Sequence, residues 1–161
     1  MKMIKILMLS SILALASCTT DPCVDVTCLN GGICDDGTCM CADWYEGTDC
    51  STEERAKYYG SYIGTATYFN EDGNLIDSSI DTIPVMGNGS IVNELDADKV
   101  ILALVASGMG DFEIPTNTMS DPDGTSFIIN GDGSFNGNLL TINAKLEFTT
   151  ETLDFSFSGS K

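Results

Sequence analysis

Six cysteines lie within the 28 residues from Cys23 to Cys50, in the order Cys-x4-Cys-x5-Cys-x4-Cys-x-Cys-x8-Cys, and none follows them in a chain of 161 residues. So short a segment cannot bury enough apolar surface to hold itself together, so its order must come from cross-links. Spacing alone leaves the pairing open. The chain divides at Cys50 into a thiol-rich front and a thiol-free remainder, which implies two domains. It also contains no His. That removes Ser-His and Cys-His nucleophile pairs, imidazole bases and His-ligated zinc from the chemistry available to it.

Residues 1–17 run from a basic start, Met1-Lys2-Met3-Ile4-Lys5, through a mostly apolar stretch to small residues. This is the pattern of a secretory signal peptide, and the apolar stretch is shorter than the ~20 residues a membrane-crossing helix needs. Export to an oxidising compartment favours disulfides over a zinc or iron–sulfur cluster for the six thiols. Leu15-Ala16-Ser17-Cys18 resembles the lipobox of bacterial lipoproteins, in which the cysteine is acylated and becomes the mature N-terminus. The resemblance makes Cys18 the lipidation site and residues 18–22 a tether. The odd seventh cysteine is then accounted for, leaving six to pair. Two or three acyl chains are enough for stable anchoring. Thr19 follows Cys18, without the Asp that marks inner-membrane retention, so the sorting rule of that family points to the outer membrane, on its periplasmic or cell-surface face.

Within 23–50, Asn30-Gly31-Gly32-Ile33-Cys34, Cys39-Met40-Cys41 and Trp44-Tyr45-Glu46-Gly47-Thr48-Asp49-Cys50 resemble an EGF-like domain of the compact tenascin type. The resemblance implies the pairs Cys23–Cys34, Cys28–Cys39 and Cys41–Cys50. Gly31, Gly32 and Gly47 are read as turn positions with positive φ. The calcium-binding subtype is not matched, because Thr20-Asp21-Pro22 stands where an acidic pair is needed before the first cysteine. No metal or other cofactor is expected.

Ser51 and Glu54 have the spacing of a capping box, so residues 51–58 are expected to form a short helical linker. From 59 to 161 the pattern has period two. Leu140, Ile142, Ala144, Leu146 and Phe148 alternate with polar residues, as do Leu153, Phe155 and Phe157, and Phe112 and Ile114. These are strands with one buried face. The apolar run Val100–Val105 reads as a strand, and Asp72-Gly73, Asn88-Gly89, Asp123-Gly124 and Asn136-Gly137 as tight turns. The fold class is mainly β, a disulfide-rich module plus an antiparallel barrel or sandwich of about eight strands. Tyr59-Gly60-Ser61-Tyr62 and the long meander after it are similar in layout to lipocalin-like domains of Gram-negative lipoproteins. The supply of aromatic residues favours an interior filled by side chains. Asp121-Pro122-Asp123-Gly124-Thr125 and Asn130-Gly131-Asp132-Gly133-Ser134 offer oxygen ligands, but they lack the order of a calcium loop and are read as turns.

Acidic residues number 24 against 7 basic, which disfavours nucleic acid as a partner. Removal of Lys2 and Lys5 with the signal would sharpen the imbalance and leave the lipid as the membrane contact. Without an activating base, the abundant Ser and Thr have no catalytic role, and no pair of acids stands out as a glycosidase would require. The expectation is a non-enzymatic, lipid-anchored envelope protein that mediates protein or glycan contacts. The alternative is a small-molecule carrier built on the barrel, favoured if an apolar cavity opens at one end of it.

Overall fold

The computed structural model describes residues 21–121 and 123–161, so the expected signal peptide of residues 1–17 and the expected lipidation site Cys18 lie outside the described residues. The front segment is built on disulfides Cys23–Cys34, Cys28–Cys39 and Cys41–Cys50. Two small hairpins carry them, β1 (Ile33–Asp35) with β2 (Thr38–Met40) and β3 (Tyr45–Glu46) with β4 (Thr52–Glu53). Cys34 and Cys39 face each other across the first hairpin, so two bridges tie one hairpin to the chain that precedes it. Gly31 and Gly47 do take positive φ, but Gly32 does not; its reason is contact, since a Cβ there would lie 2.8 Å from the Cys50 sulfur.

The remainder is a closed antiparallel barrel of eight strands. In chain order they are β5 (Gly60–Asn70), β6 (Leu75–Gly87), β7 (Glu94–Ala97), β8 (Val100–Leu104), β9 (Asp111–Ser120), β10 (Ser126–Asn136), β11 (Leu139–Glu147) and β12 (Thr152–Ser160). Each strand pairs with its neighbour in sequence, and β12 returns to pair with β5 along Leu153–Ser160. This meander costs little in topology, and closure gives every strand a partner on both sides over at least part of its length. Inward residues follow the predicted alternation, with Leu140, Ile142, Ala144 and Leu146 buried on β11 and Phe157 on β12.

Three elements differ from the sequence expectation. The run Asn130–Ser134 lies inside β10 rather than in a turn. Gly133 is needed there because a Cβ would stand 2.2 Å from Thr141 O and 2.4 Å from the Phe112 ring, so the glycine serves close packing rather than chain reversal. The β7–β8 turn, Asp98-Lys99, has positive φ at both residues without any glycine, which hid it from a search for glycine turns. The linker also differs. Thr52 and Glu53 belong to β4, and Glu54–Tyr58 form a 3₁₀ helix with no side-chain cap at its start.

That 3₁₀ helix plugs one end of the barrel. Tyr58 stacks on Phe135 with ring centroids 4.5 Å apart, and Phe135 also meets Tyr62 and Phe112. Tyr62 Oη donates to Tyr58 O at 2.9 Å and Tyr58 Oη to Met109 O at 3.2 Å, so both buried phenols are satisfied. Burial, with Tyr58 alongside, pushes the Tyr62 phenol up to about 12. Lys161 Nζ donates to the carbonyls of Lys57 and Tyr59, holding the last residue of the chain across the same end.

Two charged side chains, each only 3% exposed, fasten the plug. Arg55 donates through Nη1 to the carbonyls of Ile91 and Glu94, through Nη2 to that of Gly89 and through Nε to Glu53. Glu54 accepts from Ser107 Oγ, the Gly108 N–H and Lys57 Nζ. The capping box fails for this reason, because the Glu54 carboxylate is turned into the barrel loops instead of back toward Ser51.

Burial by itself would raise the Glu54 carboxyl, but hydrogen bonds from Ser107, Lys57 and Gly108 outweigh it and hold the group below its ordinary value of 4.5. A depressed carboxyl contributes stability above the unfolded value and loses it as pH falls through the folded one. Acid should therefore destabilise the wild type more than Glu54→Gln, and the two melting curves should converge as pH falls below about 4. Parallel melting temperatures over that range would refute the assignment.

Candidate functional site

The end of the barrel opposite the plug is not filled. A cavity of about 220 Å³ lies there, with Leu102, Ile114 and Ile142 among the residues beneath it and Tyr68, Phe127 and Phe155 along its sides. Its only polar lining side chains are Tyr68, Asp81 and Asp98, and the rest are apolar. The expectation of a fully packed interior therefore holds for the plugged half alone. Two features make the space. Ala97 lines it where a larger inward residue would fill it, and the barrel wall is low on one side.

That low wall follows from strand lengths. β6 pairs with β7 only through Val85, Met86 and Gly87, and β8 pairs with β9 only through Ala103 and Leu104. The β7–β8 hairpin is thus much shorter than β6 and β9, which run on past it. Asp98 sits at the tip of this hairpin and Asp81 on the overhanging part of β6. Residues Leu75–Thr82 of β6 are exposed on both faces, as a strand beside an opening would be. The strand β9 bends at Pro115, where its register with β10 shifts between Ile114 and Asn117; lacking an N–H, proline is suited to such a bulge.

The mouth is strongly negative. Burial, then the fields of Asp81, Asp77 and Asp121, push the Tyr68 phenol above its usual value of 10.0. Tyr68 and Phe155 pack with centroids 5.2 Å apart, and Phe127 and Phe148 at 5.1 Å, giving the rim rigid aromatic walls.

The cysteines lie apart from this cavity, on the plugged side. Trp44, which in the sequence opens the last EGF-like motif, packs against the barrel core. Its carbonyl accepts from the Glu54 N–H at 2.9 Å, and its N–H lies 3.4 Å from Ser107 Oγ. Tyr45 is half-buried, so the pair presents no open aromatic patch. Among the described residues no group of three or more Cys, Asp or Glu is placed to hold a metal ion, and no helix is long and apolar enough to cross a membrane. Compared with protein families, with curated proteins and with solved structures, the chain matches none.

Proposed function

We propose that the chain is a non-enzymatic carrier of one small molecule with an apolar body, tethered to the cell outer membrane by acyl chains on Cys18. In this reading the cysteine module is an EGF-like spacer that seats on the plugged end of the barrel through Trp44. The observation that carries it is the pairing of a sealed aromatic end with an open apolar cavity in the same barrel. Small barrels hold single ligands in this way, and a mostly apolar pocket with a few polar groups at its mouth is the usual form of such a site. The other reading, protein or glycan contacts through the front module, needs an exposed aromatic surface, and Trp44 is committed to the barrel instead. With a net formal charge of −17 the polypeptide has little attraction for anionic headgroups, so membrane attachment falls to the lipid.

A neutral probe tests the carrier reading. Titrating 1-octanol into the protein should shift the methyl resonances of Leu102, Ile129, Ile142 and Leu146 in a saturable way. Ala97→Phe should fill the cavity and abolish those shifts while leaving a cooperative thermal melt. If 1-octanol moved none of these methyls in the wild type, the barrel would not be a carrier.

A further inference from the structure

We infer that the carried molecule is an organic cation, an ammonium group on an apolar body of about eight to ten carbons, with the charge held at the Asp81 and Asp98 rim. The inference rests on the carrier reading and adds the chemistry of the ligand to it. The size follows from the volume: an apolar cavity of ~150 Å³ accepts benzene, and about 220 Å³ accepts a somewhat longer or bicyclic body. Asp81 and Asp98 are the ionisable acids that line the cavity, and among the described residues neither takes part in an ion pair.

Of the five cations among the described residues, three are held at the plugged end and one, Lys99, stands at the mouth beside Asp98. Arg55, Lys57 and Lys161 are all bound at the plugged end, to the 88–94 loop, to Glu54 and to the carbonyls of Lys57 and Tyr59. Lys145 stands opposite Asp154 in the β11–β12 register. Every turn at the open end carries a carboxylate, Glu71 and Asp72 between β5 and β6, Asp98 between β7 and β8, Asp121 and Asp123 between β9 and β10, and Glu151 between β11 and β12. Lys99 is the basic residue of those turns. A cleft walled by low-dielectric side chains and lined by one sign of charge concentrates ions of the other sign. An anionic ligand would have to cross that field to reach the apolar floor.

The aromatic walls point the same way independently of the acids. Tyr68, Phe127 and Phe155 line the cavity, and aromatic faces attract ammonium groups through their quadrupoles, most strongly where water is partly excluded. An ammonium at the rim would thus meet carboxylate acceptors on one side and aromatic faces on the other, while its chain displaced water from Leu102, Ile114 and Ile142. A neutral molecule would gain the last of these and, through a hydroxyl, only an uncharged hydrogen bond at the rim.

Three eight-carbon probes, octylamine, 1-octanol and octanoate, titrated at neutral pH into the full chain, separate the possibilities. Octylamine should bind roughly tenfold or more tightly than 1-octanol, with an advantage that shrinks at high salt. Octanoate should not move the Ile129 and Leu146 methyls. The double variant Asp81→Asn, Asp98→Asn should bring octylamine to the affinity of 1-octanol while retaining 1-octanol binding, which shows that the variant is folded. Equal affinity of octylamine and 1-octanol in the wild type, or an octylamine advantage that survives the double variant, would overturn the cation inference and leave the carrier standing. Octylamine shifts confined to surface acids, without Ile129 and Leu146, would overturn it too. If neither octylamine nor 1-octanol reached those methyls, the carrier reading and this inference would fall together.

Discussion

Replacing Arg55 by Met should lower the melting temperature of the barrel by ~10–20 °C, an effect as large as truncating a buried core aromatic. The guanidinium is 3% exposed and spans three carbonyls of the 88–94 segment together with Glu53. Met matches its length and keeps most of its apolar packing, so the change isolates the lost donors. Glu53 can turn to solvent, since its side chain is 36% exposed. The carbonyls of Gly89, Ile91 and Glu94 cannot all do so without the loop moving away from the plug. Removing one partner of a buried charged network typically costs ~3–5 kcal/mol, most of it the unpaired groups left behind. Arg55→Lys should recover only part of the loss, because one ammonium cannot reach the acceptors that the planar fork spans. Thermal melts followed by far-ultraviolet circular dichroism, with hydrogen exchange across 88–94, provide the measurement. A drop of less than about 3 °C in Arg55→Met would mean that the plug is held by Tyr58 and its aromatic stack rather than by this network.

The same network shows where sequence and structure part company. Arg55 and Glu54 read as an ordinary charged linker because nothing local marks a charged side chain as buried; besides Glu53 and Lys57, their partners are 34 to 54 residues away. By contrast β11 and β12 were legible, since each has one face in the core and one in solvent over its whole length, and alternation survives intact. β6 was not. Leu75-Ile76-Asp77-Ser78-Ser79-Ile80 lies beside the mouth, where even inward positions are exposed, so no burial imposes a period on it. Asn130–Ser134 misled for a different reason: its glycines look like turn chemistry but answer to the neighbouring strand and the Phe112 ring. The cavity left the weakest mark of all. It arises from a short β7–β8 hairpin and a small Ala97, and a missing volume has no motif.

Reduction of the three disulfides should unfold residues 23–50 and leave the barrel's sheet signal in place. Val24 and Ile33 are each 72% exposed and Met40 62%, so the front segment has almost no apolar core, and Cys50 is its one fully buried hydrophobic residue. Its order therefore depends on cross-links whose individual removal costs ~2–5 kcal/mol in small secreted domains. The barrel has its own core, from Tyr62 and Ala66 around to Phe157, and contains no cysteine. The two parts are coupled chiefly around Trp44, beside the β3–β4 pairing and a Lys57–Glu46 ion pair at 3.9 Å. Trp44 packs against the barrel core and accepts the Glu54 N–H, and unfolding the front segment would forfeit that contact, at most ~3 kcal/mol. The reduced protein should thus keep a cooperative β-sheet melt, shifted down by roughly 5–10 °C, while Trp44 fluorescence moves to that of a solvated indole. The size of the shift is the informative quantity. A shift near zero would make Trp44 a bystander, whereas collapse of the sheet signal together with Trp44 would make the cysteine module part of the plug. Ligand binding at the open end would then depend on redox state, because losing the plug would unseal the floor beneath the cavity.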